Sequence, residues 1–266
     1  MRIGFIGAGK LAASIAQGVI RAGVATSDEV IASARTAKRR DWFSVEAGVR
    51  AVEDNMAVVG ASEVVIIATK PQDLPLALGG VAHGLGDRLV VSVAAGVRLY
   101  DLQALAGPLS PLARVIPNTP SLVGKGAAAY ALGSTAETKH AKMVETIFGA
   151  VGDVYAVKED LLDAVVGLSG SGPAYVLMMI EALSDGGVLM GLPRPLALQL
   201  ATQTVAGAAE LVRVTGRHPV VLRETVTSPG GTTAAALEVL EKAAFRAAVQ
   251  GAVRAATERS RELGEQ

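Results

Sequence analysis

The sequence predicts an α/β N-terminal half with a doubly wound, largely parallel sheet, followed by an all-α C-terminal half. Up to about residue 160, short apolar runs alternate with helix-like segments, as in successive βαβ units. Beyond that point the pattern is helical nearly to the end of the chain. The 266 residues, half of them hydrophobic, suffice for two domains. We therefore predict domains at 1–160 and 161–266.

Six short apolar runs are predicted to form the strands of this sheet. The clearest is Val64–Ala68, a continuous run of the kind that is buried on both faces of a parallel sheet. A helix is predicted after the first strand, where Leu11, Ile15 and Val19 recur at helical spacing. The other predicted strands are Arg2–Ile6, Glu29–Ser33, Leu89–Val93 and the weaker Ala113–Ile116 and Ala127–Tyr130.

Three long helices are predicted in the second half: Ala174–Met190, Leu196–Thr215 and Thr233–Leu263. The first is followed by Gly191-Leu192-Pro193, a helix-stop signal. We find no internal repeat and no flexible linker.

Composition excludes several classes of function. Basic and acidic residues balance at 25 each, so nothing indicates a nucleic-acid surface. Lys38 and Arg39 are interpreted as a solvated helix face. The chain has no cysteine, which excludes disulfides and thiolate ligands, and its three histidines lack zinc-site spacing. No run of 18 uncharged apolar residues occurs, so we expect no membrane span and a cytoplasmic protein.

A glycine-rich turn predicts a dinucleotide-binding, Rossmann-type domain. Residues 7–12, GAGKLA, match G-x-G-x-x-A directly after a predicted strand and at the start of a helix. Gly7 permits the tight turn, Gly9 lets a pyrophosphate approach the backbone, and Ala12 keeps the helix close to the strand. The free N–H groups at the helix N-terminus would then face the phosphates.

The end of the second predicted strand favours NADPH, with NADH possible. NAD enzymes usually place Asp or Glu there for the ribose hydroxyls. This chain has Ser33-Ala34-Arg35-Thr36 instead. Arg35 can contact a 2′-phosphate, and the Ser33 and Thr36 hydroxyls can add donors. The alternative interpretation of Arg35 is a surface arginine with no ligand.

Two polar, glycine-rich segments precede predicted helices in the second half: LSGSGPAY at 168–175 and TSPGGTTA at 227–234. Each could bind an anion through backbone N–H groups or simply cap a helix. For the first we favour a cap or an interface. The two glycines and two threonines of the second exceed what a cap needs. That segment suits a small carboxylate next to a hydrogen-bonding nitrogen.

Along its whole length the sequence resembles the pyrroline-5-carboxylate reductase family. The resemblance includes IGAGKLA at 6–12, ATKPQ at 68–72, SVAAG at 92–96, RVIPNTP at 114–120 and LSGSGPAY at 168–175. Its most specific part is HPVVLRETVTSPGGTTAAALEVLE at 218–241. It implies reduction of 1-pyrroline-5-carboxylate to L-proline by hydride from NAD(P)H, the last step of proline biosynthesis. Thr69 and Ile116 depart from a more usual valine and methionine, and both changes are volume-tolerant.

The resemblance also implies roles for individual residues. Asn55 would lie near the adenosine ribose, and Ala68 to Pro71 would line the nicotinamide side of the cleft. Ser228 to Thr233 would hold the substrate, with Thr233 bonded to the ring nitrogen as the catalytic residue. Together with the motif, this predicts the cofactor-binding residues Ile6, Gly7, Ala8, Gly9, Lys10, Leu11, Ser33, Arg35, Asn55, Ala68, Thr69, Lys70 and Pro71. The predicted substrate-binding residues are Ser228, Gly230, Gly231, Thr232 and Thr233.

In this family the helical half serves dimerisation, and the resemblance implies a site shared across a dimer and assembly into decamers. Two alternatives remain at this point. One is a β-hydroxyacid dehydrogenase-like enzyme or another cyclic imine reductase. Such enzymes usually place a lysine or aspartate as proton donor in the first helices after the boundary, and here that stretch supplies Asp163, Glu181 and Asp185 but no lysine. The other is a regulator that binds NADPH without turnover, against which the SPGGTT segment argues.

Overall fold

The computed structural model describes residues 1–264, which belong to two compact units. The first unit comprises Met1–Ser171 and the C-terminal stretch that begins at Arg254. The second comprises Gly172–Val253.

An eight-stranded sheet forms the centre of the first unit, in the order β3-β2-β1-β4-β5-β6-β7-β8. Neighbouring strands are parallel except for the antiparallel pair β6 and β7. The order 3-2-1-4-5-6 of the first six strands is that of a doubly wound dinucleotide-binding sheet, which confirms the predicted fold class. The strands are β1 Ile3–Ile6, β2 Val30–Ser33, β3 Arg50–Val52, β4 Val64–Ile67, β5 Leu89–Ser92, β6 Leu112–Ile116, β7 Gly126–Leu132 and β8 Gly152–Ala156.

Thirteen α-helices lie within residues 1–264. Those of the first unit are α1 Lys10–Arg21, α2 Ala37–Ala47, α3 Asn55–Ala61, α4 Leu74–Gly79, α5 Ala82–Leu85, α6 Leu99–Ala106, α7 Thr138–Gly149 and α8 Leu162–Val165. The second unit holds α9 Gly172–Leu189, α10 Arg194–Thr215, α11 Pro219–Thr225 and α12 Thr232–Lys242. The last helix, α13 Phe245–Gly264, begins in the second unit and ends in the first.

The sheet is buried on both faces, and its strands β1 and β4 are apolar at every position. Successive side chains of a strand point to opposite faces. Phe5 and Ile66 accordingly belong to one hydrophobic core, and Ile6, Val65 and Ile67 belong to the other. This arrangement explains why β4 reads as a continuous apolar run rather than an alternating one.

Two edge strands, β3 and β8, were not predicted from the sequence. Each pairs with only one neighbour, and each is partly exposed. An edge strand needs little apolar surface, so β3 and β8 carry no strong hydrophobic pattern.

The helix predicted at 233–263 is wrong as a single element. The structure has two helices, α12 and α13, separated at Ala243 and Ala244. Ala244 has φ +54°, the one non-glycine residue of 1–264 with a positive φ. A residue with left-handed backbone angles cannot continue a right-handed helix. Because alanine favours helices, the sequence does not predict a break at this position.

The segment LSGSGPAY is part of a helical stretch and not a cap before one. Residues Val166–Gly170 form a π-helical turn between α8 and α9. The Ser171 N–H donates to the Val166 carbonyl at 2.8 Å, and the Asn118 side chain donates to the Ser169 carbonyl at 3.0 Å. The cap interpretation of this segment is therefore wrong, because Ser171, with φ −87° and ψ −22°, continues the helical backbone into α9. The interface interpretation stays a prediction.

One buried ionic cluster holds the end of α13 in the first unit. Arg114 lies buried in β6, 3.5 Å from a Glu159 carboxylate oxygen and 3.4 Å from one of Asp163. The Ser260 hydroxyl donates to the same Asp163 oxygen at 2.7 Å. A buried guanidinium is tolerated only when opposite charges compensate it, so this cluster fixes where the C-terminal helix docks.

One helical stretch, Glu159–Leu189, is long and apolar enough to cross a membrane by length and composition alone. Only 11% of its most apolar window is buried within the structure. A single stretch of this kind is weak evidence, because helices of soluble proteins pass the same test.

Stability should fall as pH drops through the range in which His140 titrates. His140 is buried, and its Nδ1 accepts a hydrogen bond from the Glu137 N–H at 2.8 Å. Burial lowers its pKa below the usual 6.5, with a further lowering by Lys139 that Glu137 and Asp87 partly offset. Between the lowered and the usual pKa the unfolded chain binds more protons than the folded chain, so acidification destabilises the fold.

The measurement is the urea midpoint at about pH 7.5 and about pH 5.5, on either side of the ordinary histidine pKa. His140→Asn keeps an acceptor for the Glu137 N–H but does not titrate. We expect a smaller acid-induced drop in this variant than in the wild type. Equal drops in both proteins would show that other groups carry the pH dependence.

Candidate active site

A cleft of about 310 Å³ opens at the carboxyl ends of β1, β2 and β4. The strand order reverses here, with β2 on one side of β1 and β4 on the other. Doubly wound folds bind their ligands at this switch point. The residues that line it are Ile6, Gly7, Ser33, Ala34, Arg35, Thr36, Arg39, Asn55, Thr69, Asp73, Leu76 and Ala77.

Gly7 makes the turn that leaves β1. Its φ is +106°, and its N–H donates to the Ser33 carbonyl at 3.1 Å. A Cβ at this position would lie 2.7 Å from the carbonyl carbon and oxygen of Ala68. Both the left-handed conformation and the contact with the backbone after β4 therefore require glycine.

The N-terminus of α1 follows this turn with its backbone donors unoccupied by protein side chains. Gly9 is the N-cap and, within residues 1–264, makes no side-chain capping bond; the first turn carries no acid. Ala12 is fully buried against the core, so the helix packs close to the sheet. Free N–H groups and the positive end of the helix dipole together favour a phosphate.

Ser33 and Asn55 form a fixed pair at the end of β2. The Ser33 hydroxyl donates to Asn55 Oδ1 at 2.7 Å. Asn55 begins α3, whose N-cap Asp54 accepts a hydrogen bond from the Met56 N–H at 2.8 Å. Ser33 has one hydroxyl hydrogen, so it orients Asn55 and is not free to donate to a phosphate.

Two arginines reach the cleft from the segment after β2. Arg35 has a side chain that is 79% exposed and lies 3.4 Å from an Asp73 carboxylate oxygen. Arg39 lies over the Trp42 ring, 4.3 Å from its centroid, and its Nη2 is 3.9 Å from where a Cβ of Gly9 would be. The interpretation of Arg39 as a solvated surface residue is therefore wrong. Lys38 beside it is exposed.

Arg40 secures the backbone that carries Arg35. Its Nη1 donates to the carbonyls of Ala34 and Arg35, at 2.9 and 3.0 Å. The Glu53 carboxylate lies 3.3 Å from its Nη2. The two hydrogen bonds to carbonyl oxygens fix the course of the chain between β2 and α2.

The segment after β4 brings an unsatisfied hydroxyl to the cleft. Thr69 Oγ1 is buried and makes no hydrogen bond to any residue within 1–264. Lys70 next to it is exposed, and Pro71 begins a short 3₁₀ turn that ends at Asp73. Since buried hydroxyls are rarely left unpaired, Thr69 fits a bound polar ligand.

The cleft lining does not include seven of the predicted cofactor residues: Ala8, Gly9, Lys10, Leu11, Ala68, Lys70 and Pro71. Of these, Lys10 has a side chain that faces elsewhere. It lines a separate pocket of about 230 Å³ with Ser14, Gln17, Trp42 and others, and it is not among the lining residues of the cleft. Only its backbone N–H, at the first position of α1, remains directed at the phosphate region.

In the second unit, Ser228 to Thr233 form a compact turn that starts a helix. The Gly231 N–H donates to the Ser228 carbonyl at 3.0 Å, and Gly230 has φ +66°, as in a type II turn with Pro229 at its second position. A Cβ on Gly231 would lie 2.4 Å from Ser228 Oγ. The positive φ therefore favours glycine at 230, whereas a side chain at 231 would have to displace the Ser228 hydroxyl.

This turn leaves the N-terminus of α12 open. Gly231 is the N-cap without a side-chain capping bond from residues 1–264, and no acid occupies the first turn. Thr232 is exposed and Thr233 is half-buried. The arrangement presents backbone N–H groups and two hydroxyls within one turn, which suits a small carboxylate.

Comparison with known proteins identifies the family. Residues 159–263 match the family profile described as pyrroline-5-carboxylate reductase dimerisation. The chain is 48% identical over 266 residues to a pyrroline-5-carboxylate reductase of Arabidopsis thaliana, covering 99% of this chain and 96% of that protein. The chain belongs to the pyrroline-5-carboxylate reductase family.

Other members of this family agree in sequence and structure. The Synechocystis enzyme is 46% identical over 99% of this chain and 98% of its own. A pyrroline-5-carboxylate reductase structure from Coxiella burnetii superposes with a TM-score of 0.92 at 35% identity, covering 100% of this chain and 99% of that one. A Plasmodium falciparum pyrroline carboxylate reductase with NADP bound gives 0.91 at 30% identity, covering 99% and 98%. Residues 2–96 match a second profile, NADP oxidoreductase coenzyme F420-dependent.

Sequence reasoning missed five residues of the reductase cleft: Ala34, Arg39, Asp73, Leu76 and Ala77. Leu76 and Ala77 lie on α4 and give the cleft an apolar wall. Asp73 lies two positions after Pro71, within reach of the ATKPQ motif. That proximity was the one available signal, since nothing local marks a residue that meets Arg35 only in the folded chain.

Proposed function

We propose that this chain reduces 1-pyrroline-5-carboxylate to L-proline with hydride from NADPH, the last step of proline biosynthesis. The observation that carries the proposal is a dinucleotide cleft at the end of β1 in a chain that matches the reductases end to end. The family match sets aside the dehydrogenase-like alternative, and relatives named reductases speak against a non-catalytic regulator.

The residues of the cleft fit a reduced dinucleotide. The turn from Ile6 to Leu11, with Gly7, Ala8, Gly9 and the Lys10 N–H, would hold the pyrophosphate, because its glycines leave the backbone N–H groups accessible. Asn55, oriented by Ser33, would meet the adenosine ribose. Arg35 would meet the 2′-phosphate. When bound, the cofactor supplies the hydride.

Arg39 adds a second cation to this site. Its guanidinium is held over Trp42 and faces Gly9, so it would contact the phosphates near the α1 N-terminus. Stacking on the indole restricts the side chain before binding, which reduces the entropy lost on contact. Arg39 thus belongs with the predicted cofactor-binding residues.

The segment after β4 would form the nicotinamide side. Ala68, Thr69, Lys70 and Pro71 lie at the carboxyl end of the strand next to β1. The orphaned Thr69 hydroxyl would gain a partner there. Lys70 is exposed and would contribute its charge.

The second unit would bind the imino acid. The N–H groups around Gly230, Gly231 and Thr232 would fix the substrate carboxylate, supported by Ser228. The Thr233 hydroxyl would hydrogen-bond the ring nitrogen and hold the C=N carbon in one orientation. A protonated cyclic imine is already electrophilic, so the chain's contribution is positioning and charge stabilisation.

The surface of the second unit supports self-association. Large apolar side chains such as Leu177, Met178, Leu189 and Met190 are mostly exposed on its helices. Exposed apolar surface on this scale marks an interface, and the dimerisation profile covers the same helices. We propose that a second copy covers it, which also accounts for the apolar stretch Glu159–Leu189. Dimers would assemble further into decamers in the cytoplasm.

The functional division then lies near residue 160, close to where the dimerisation profile begins. Residues 1–160 would bind the dinucleotide. Residues 161–266 would bind substrate and dimerise; Glu265 and Gln266 lie outside the described residues.

The deciding experiment follows oxidation of NADPH and of NADH with 1-pyrroline-5-carboxylate. We expect oxidation of both, with NADPH favoured, and size-exclusion chromatography should give a dimer or a multiple of one. No oxidation of either cofactor, with cofactor binding intact, would overturn the proposed reaction.

A further inference from the structure

Asp73 lies in the cleft next to Arg35, the residue proposed to contact the cofactor's 2′-phosphate. No sequence motif assigns Asp73 a role. Of the described residues that line the cleft, it is the single acid. Its carboxylate lies 3.4 Å from the guanidinium of Arg35, the residue proposed for the 2′-phosphate. Arg35 follows β2 and Asp73 follows β4, so the two meet across the mouth of the cleft.

The end of β2 lacks the acid that NAD enzymes place there for the ribose hydroxyls. We propose that Asp73 supplies this carboxylate from the neighbouring segment and is a specificity-determining residue. In NADH the 2′-hydroxyl donates to Asp73. When NADPH binds, its 2′-phosphate would pair with Arg35 and would have to displace Asp73 from it.

The chemistry of the two groups sets opposite effects on the two cofactors. A carboxylate accepts a hydrogen bond from a hydroxyl but repels a phosphate. A guanidinium pairs strongly with a phosphate but cannot accept the hydrogen bond that a hydroxyl donates. A cleft that holds both groups in contact therefore admits both cofactors and limits its own preference for NADPH.

The exposure of the pair makes this exchange feasible. The Arg35 side chain is 79% exposed and that of Asp73 is 34% exposed. Exposed ion pairs contribute little to stability, so Arg35 can leave Asp73 at small cost. For the same reason, neutralising Asp73 should leave the fold intact.

The inference rests on the proposed cofactor site, and Asp73→Asn tests it. We expect its kcat/KM with NADPH to rise and with NADH to fall. The ratio of the two should increase about tenfold, the size of one modest charged contact. Arg35→Gln should move the ratio in the opposite direction. The thermal midpoint should not change in either variant.

Glu53→Gln is the matched control, because Glu53 is also an exposed carboxylate paired with an arginine after β2 but does not line the cleft. It should leave the ratio unchanged, which separates a local contact from a general charge effect. A ratio within twofold of wild type for Asp73→Asn, or equal shifts for both cofactors, would overturn the inference.

Dissociation constants from the fluorescence of the reduced cofactors separate this inference from the proposed reaction. If the wild type binds both cofactors but does not reduce 1-pyrroline-5-carboxylate, the reaction fails and the binding ratio still decides the role of Asp73. If the wild type binds neither cofactor, both proposals are overturned.

Discussion

Gly7→Ala should abolish measurable cofactor binding and destabilise the fold. Residue 7 has φ +106°, and the added methyl would lie 2.7 Å from backbone atoms of Ala68, which cannot move without shifting β4. The left-handed strain and the clash together should cost about 3 kcal/mol of unfolding free energy. The displaced turn should raise the NADPH dissociation constant roughly a hundredfold or more. Urea unfolding and fluorescence titration measure the two effects.

Alanine substitutions at two other glycines separate the effects of backbone strain, of the steric clash and of the lost pyrophosphate contact. Gly23 has φ +69° with nothing within 4 Å of a Cβ, so Gly23→Ala should show the cost of strain alone, about 1 kcal/mol. Gly9 has φ −84°, and its Cβ would meet only Arg39 at 3.9 Å, so Gly9→Ala should fold normally but bind NADPH more weakly. Tight NADPH binding by Gly7→Ala would refute the assignment of this turn to the pyrophosphate.

Thr233→Ala should lower kcat about ten- to a hundredfold, the effect of losing one hydrogen bond to a charged group in the transition state. Thr233 is half-buried in the first turn of α12, and its hydroxyl has no bonding partner within residues 1–264. NADPH binding should be unchanged, because the predicted cofactor residues lie on other segments. Steady-state kinetics with NADPH at saturation measures the effect.

Thr233→Ser is the matched control for this prediction, since it retains the hydroxyl and removes one methyl group. It should keep most of the activity. Turnover of Thr233→Ala within a factor of two of wild type would remove Thr233 from the mechanism. An equal loss in both variants would point to packing of the methyl group instead.

Much of the cofactor site could be predicted from the sequence because its elements are local. The strand, the Gly7 turn and the start of α1 are contiguous, and each has a strong signal of its own. The substrate segment is also contiguous, and the positive φ of Gly230 belongs to one local turn. Contacts between distant segments could not be predicted in this way. Ser33 was expected to donate to a phosphate, but it donates to Asn55, 22 residues later.

The sequence by itself determined the fold class and the dinucleotide turn, because apolar periodicity and glycine geometry act over a few neighbouring residues. The family followed from the resemblance of its motifs to those of known reductases. Only the tertiary structure decided that Arg39 faces the cleft over Trp42, and that Asp73 meets Arg35 from 38 residues away. It also decided that the helical segment breaks at Ala244, where the sequence contains no glycine or proline. The contact of Arg35 with Asp73 depends on how the strands are ordered in the sheet, since that order brings the ends of β2 and β4 to either side of β1.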